Sequence, residues 1–87
     1  MIQFRVNIQP RDGGQVLAIH LDSELNLLPP VKTEVAITDE VWGEVICTQI
    51  QPIAQPQVVV QLRTILAEDT PAAQQLVRHA RRQGWRS

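Results

Sequence analysis

Cysteine occurs once, at Cys47, so no internal disulfide can form and a reducing, cytoplasmic setting is the expectation. Aromatic residues are nearly absent: Phe4, Trp42 and Trp85 are the full set, with no tyrosine. Proteins that stack bases along a single strand need several such platforms. The chain also has one lysine and a net charge of −1, which is poor in the cations that counterion release rewards. Long apolar runs are lacking too; the longest is residues 16–19, against the roughly 20 residues that cross a bilayer. The first residues alternate apolar and polar and hold no apolar block of the secretory kind. Cys47, His20 and His79 are scattered, with no CxxC or HxxxH spacing, so neither a metal nor another cofactor is expected. Gly13-Gly14 is followed by no Lys-Ser/Thr and opens a strand, which excludes a phosphate-cradling loop.

What is present is aliphatic. Apolar residues make up 44% of the 87 and charged residues 20%, the balance of one small globular domain over residues 1–87. A single core of this size gives a margin of roughly 3–5 kcal/mol, so good packing or burial against another chain must add to it. Val, Ile and Leu, with Phe4 and Trp42, are the expected core.

Residues 2–9 alternate strictly, with Ile2, Phe4, Val6 and Ile8 on one face and Gln3, Arg5, Asn7 and Gln9 on the other. Pro10-Arg11-Asp12-Gly13-Gly14 then supplies turn residues, and residues 15–22 alternate again with Leu17, Ile19 and Leu21 on one face. Together they predict an antiparallel hairpin. Leu25, Leu27 and Leu28 can cover a core edge before Pro29-Pro30 forces an extended path. Further strands are expected over 31–37, 44–51 and 57–67, with Thr38 capping a turn between the first two, Gly43 closing it, and Pro52 and Pro56 interrupting the ladder after the second. In the last strand Val58, Val60, Leu62, Thr64 and Leu66 share one face and Val59, Gln61, Arg63 and Ile65 the other. A helix is expected over 71–83, with Thr70 as cap, Pro71 in the first helical position, and Ala72, Ala73, Leu76, Val77 and Ala80 forming its apolar stripe. Gly84 is placed for a left-handed residue just past the helix, pairing Trp85 with Ala80 in a Schellman stop. The expected fold is therefore α+β: an antiparallel, curved or partly closed sheet of about five strands followed by one C-terminal helix.

Few residues offer chemistry. His20 and Asp22 share one face of a strand, with Glu24 beyond, and an imidazole beside a carboxylate could relay a proton or hold a divalent ion. One histidine and one acid is an incomplete set, and no glycine-framed nucleophile accompanies it. Asp39, Glu40 and Glu44 read as a solvated turn, and Cys47 as a small core hydrophobe with no cation beside it in sequence. Catalysis is not expected.

Charge is distributed unevenly. Residues 71–87 hold Arg78, Arg81, Arg82 and Arg86 and no acid, whereas residues 1–70 hold four basic and nine acidic residues. Such a face can be solvated, or can meet an acidic protein surface or phosphates. The expectation is a non-catalytic protein-interaction or assembly module that works with a protein partner or as a homodimer. Its contacts would use Leu25, Leu27, Leu28, Val59 and Ile65, with the four arginines as guide. The alternative is a small nucleic-acid-binding regulator using those same arginines. No membrane association is expected.

Overall fold

The computed structural model describes residues 2–24, 28–51 and 57–87. Among the described residues, six strands precede one helix: β1 (Ile2–Pro10), β2 (Leu17–Ser23), β3 (Glu34–Ala36), β4 (Trp42–Gln51), β5 (Gln57–Leu62), β6 (Ile65–Ala67) and α1 (Thr70–Arg82). This is an α+β fold in which a curled sheet carries a C-terminal helix. The expected connection around Pro52 and Pro56 lies outside the described residues.

The sheet runs β2-β1-β5-β4-β3, with β6 also on β1. The first hairpin pairs Phe4 with Leu21 and Val6 with Ile19, as the two alternating runs require. The sheet is mixed rather than wholly antiparallel, because β5 and β6 both run parallel to β1. Alternation fixes which face of a strand is buried but not the direction of its neighbour, so the parallel pairs are not written in the pattern. β1 is long enough to hold β5 along Ile2–Arg5 and β6 along Ile8–Pro10.

The expected strand over 57–67 is broken at Arg63-Thr64, where the Arg63 N–H turns to the Glu44 carbonyl at 2.7 Å. The break inverts the alternation. Ile65 and Ala67 now face inward, and Leu66, expected beside Leu62, is 56% exposed.

The core is the inner face of β1 and β2 (Ile2, Phe4, Val6, Ile8, Ile19), closed by Val60 and Leu62 from β5, Val45 and Ile37, and the helix stripe Ala73, Val77 and Ala80. Each buried aliphatic side chain contributes roughly 1.5–3 kcal/mol through removal from water. Its large aromatics are Phe4 and Trp85, both buried. Trp42, expected inside, is 56% exposed. Gly43 and Val45 are the residues of that stretch that turn inward, so Trp42 and Glu44 turn outward. Gly43 thus lies within β4 rather than closing the turn; there is room for no side chain there, since a Cβ would meet Leu62 Cδ1 at 2.9 Å and Ile37 Cδ1 at 3.0 Å.

At the start of α1 the cap is Asp69, not Thr70: its backbone is extended and its carboxylate accepts the Ala72 N–H at 2.8 Å. Thr70 is drawn elsewhere, to Asp12 in the β1–β2 turn, which takes both its N–H at 2.8 Å and its hydroxyl at 2.9 Å. The far end follows the expected stop. Gly84 has φ +98, its N–H reaches the Arg81 carbonyl and the Trp85 N–H reaches that of Ala80, each at 3.1 Å. Among the described residues, no helix is long and apolar enough to cross a membrane.

Candidate functional site

The curl leaves an outer sheet face built from alternate residues of β1, β2 and β5. Register places His20 opposite Arg5, Asp22 opposite Gln3, and Gln61 beside Arg5. The side chains are coupled: the Gln3 amide donates to Asp22 Oδ1 at 3.0 Å, and Arg5 Nε donates to Gln3 Oε1 at 2.6 Å. Gln61 Nε2 donates to the Arg5 carbonyl at 3.3 Å. Asp22 is therefore engaged by the Gln3 amide. The backbone of His20 exchanges two 2.8 Å hydrogen bonds with Arg86, which seats the chain end on the edge of β2. Among the described residues, no three His, Cys, Asp or Glu side chains gather as a metal set.

The acids over 39–44 are used separately. Asp39 accepts from Gln83 of the helix end at 3.4 Å, while Glu44 pairs with Arg63 at 3.2 Å across the outer face. Glu44 also stands opposite Glu34, a like-charge pair that Arg63 partly offsets. Thr38 does cap the β3–β4 turn, accepting the N–H groups of Glu40 and Val41. Cys47 is half-buried beside a bulge in β4, where the register with β5 shifts between Val45 and Cys47.

Two surfaces remain. The first is apolar and centres on the outer side of β4, where Trp42 is 56% and Ile46 40% exposed. The neighbouring strand β3 is only three residues long and forms the sheet edge, so little covers this side. Leu28 and Val31, on the segment leading to β3, are also exposed. Lys32, held at φ 76, ties that segment to β4 by donating its N–H to the Val45 carbonyl at 2.8 Å.

The second surface is basic. Arg78, Arg81 and Arg82 recur three and four apart on the exposed side of α1, with Arg86 just beyond. Among the described residues, the one ion pair is Arg63–Glu44, so none of these four arginines is in a salt bridge, although Asp39 and Glu40 line a depression with Arg82. Arg81 donates to the Ser87 hydroxyl.

Of the residues expected at an interface, Leu28 and the four arginines are exposed. Val59 is buried, and Ile65 is half-buried and packs against the core. Ile65 turned inward with the break at Arg63-Thr64. Leu25 and Leu27 lie outside the described residues. Trp42 and Ile46 are not among the residues expected at an interface, although Trp42 and Glu44 share one face by period-two spacing, a signal that Trp42 points to water.

No protein-family model, curated protein or solved structure matches this chain.

Proposed function

We propose that this protein is a small non-catalytic interaction module, and that it meets a protein partner through the outer side of the β3–β4 hairpin. The carrying observation is Trp42, a large aromatic left 56% exposed beside Ile46 at a short sheet edge. Tryptophan removes more area from water than most residues, and it is strongly enriched among the residues that dominate interface energies. A second copy of the chain is the simplest partner, because the same patch can face itself across a two-fold axis. The test is a photo-reactive residue placed at Trp42 in the native host, with the same residue at Gln75 on the helix as control. Cross-linking at Trp42 to one defined protein, or to a second copy, is expected. Equal or absent cross-linking at the two positions would sink the reading.

The arginine-rich side of α1 supports a second reading, a small nucleic-acid-binding regulator. Four exposed cations favour it, none of them in an ion pair among the described residues, although Asp39 and Glu40 line the same depression as Arg82. Phosphate contacts would make affinity for generic DNA or RNA fall steeply between low and physiological salt, by a slope of about −0.9 per phosphate on duplex DNA. A flat salt response would remove this reading.

A further inference from the structure

A groove of about 430 Å³ runs between the start of β2 and α1. Its apolar part comes from Val16, Leu17, Ala18 and Val77, and Arg78 and Arg81 stand along its helical side. Val16 is 47% exposed there.

The backbone along this groove is a strand edge. His20 directs both its N–H and its C=O away from β1, to Arg86. In an antiparallel ladder such a residue alternates with residues that bond inward, so Ala18, two positions back, directs its N–H and C=O the same way. Arg86 covers the edge at His20, and Ala18 lines the groove together with Ser87.

We infer that this groove binds an extended acidic peptide, which adds a strand-like rung at Ala18 and sets its carboxylates against Arg78 and Arg81. Strand addition supplies main-chain hydrogen bonds, while alternate side chains give selectivity. Here apolar side chains of the added segment meet Leu17 and Val77, and its acids meet guanidinium groups that fork onto carboxylates. Charge complementarity selects the occupant: Arg78 and Arg81 line a groove of mixed lining, Arg81 donating to the Ser87 hydroxyl there, and neither is in an ion pair among the described residues. This surface is separate from Trp42, so the two proposals stand or fall independently.

The probe is a fluorescent octapeptide alternating valine and glutamate, followed by anisotropy at low ionic strength. The peptide is expected to bind, and Arg78→Glu with Arg81→Glu to weaken it about tenfold or more, since two attractive pairs become repulsive. Ala18→Pro is expected to weaken it as well. Its lost N–H lies on the open side of an edge strand, where proline is tolerated. Peptides N-methylated at alternate amides, in either phase, repeat that test without altering the protein; one phase should lose binding. Trp42→Ser should leave affinity unchanged. The proposal is overturned by no binding, by arginine dependence that ignores both Ala18→Pro and N-methylation, or by loss of binding in Trp42→Ser. It is overturned too if oligothymidylate binds as tightly with the same arginine dependence, which would mark a phosphate surface.

Discussion

The carboxylate of Asp12 receives both the backbone N–H and the hydroxyl of Thr70, at 2.8 and 2.9 Å, across 58 positions of sequence. The same carboxylate accepts the Gly14 N–H at 2.9 Å. One side chain thus ties the β1–β2 turn to the first residue of α1. Alongside it, the Arg11 N–H bonds the Ala67 carbonyl at 2.9 Å. The latch fixes where the helix starts, and therefore where Val77 and Arg78 stand relative to β2.

Asp12 should make stability depend on acidity. The Thr70 N–H, then the Gly14 N–H and the Thr70 hydroxyl, hold its carboxyl below the usual value of 3.8. A depressed carboxyl contributes stability that is fully present above its unfolded value and is lost as pH falls through the folded one. Tm of the wild type should therefore exceed that of Asp12→Ala near neutrality, and the gap should begin to narrow only as pH falls below about 4 and shrink further as pH passes through the lower folded value. A gap that persists in acid would mean that the ionised carboxylate is not what holds the turn.

Gly14 is where this latch is most sensitive to size. A Cβ there would sit 2.0 Å from Thr70 Oγ1 and 3.3 Å from Thr70 Cβ. Gly14→Ala should therefore push the hydroxyl off Asp12 and lower Tm, while in a Thr70→Ala background most of that loss should vanish. Double-mutant comparison by thermal denaturation reads the coupling directly. Additive losses would place the cost in the backbone of the turn instead.

Overpacking at Gly43 should be costly for another reason. Its neighbours Leu62 and Ile37 are fully buried, so neither can move aside into solvent. Gly43→Ala should cost about 1–3 kcal/mol in chemical denaturation, the usual penalty for an extra methyl in a filled core. A neutral result would show that β4 shifts as a unit.

The two tryptophans should behave oppositely. Trp85 is 1% exposed and Trp42 56%, so Trp85→Ala should cost about 3–5 kcal/mol while Trp42→Ala stays within about 0.5 kcal/mol at concentrations where the protein is dilute. Emission separates them as well: the red, quencher-accessible component should disappear in Trp42→Phe and remain in Trp85→Phe. A large loss from Trp42→Ala would mean that Trp42 supports the fold rather than a partner.

Local chemistry made the hairpin, the helix and its glycine stop legible, because each is set by residues close in sequence. Ile2, Phe4, Val6 and Ile8 declare one buried face without any knowledge of the rest. The parallel neighbours of β1 were not legible, since a strand carries the same alternation in either direction. Nor was the break at Arg63-Thr64, which rests on a backbone bond to Glu44 that no spacing announces. The same limit explains the cap: Thr70 and Asp69 are both good capping residues, and Asp12, distant in sequence, decides between them by occupying Thr70. For the candidate surfaces, the arginines were visible as charge. The apolar patch is harder to see, because the hydrophobicity of Trp42 points inward while its alternation with Gly43 and Val45 points outward.

Gly84 links the helix end to the sheet edge, which gives a prediction at both places. Its φ of +98 is strained for residues with a Cβ, although a Cβ there would meet Leu21 Cδ1 at an ordinary 3.4 Å. The cost of Gly84→Ala is thus conformational, about 1–2 kcal/mol, and Gly84→Asn should cost less because asparagine enters that region more readily. The reversal at Gly84 directs Trp85 into the core and Arg86 onto His20. Gly84→Ala should therefore also speed amide exchange at His20 and Arg86 more than at Phe4, in the centre of the sheet. Equal losses for alanine and asparagine would sink the conformational account. Unchanged exchange at His20 would show that the Arg86 rung forms independently of the helix stop, and the edge at Ala18 would then owe nothing to it.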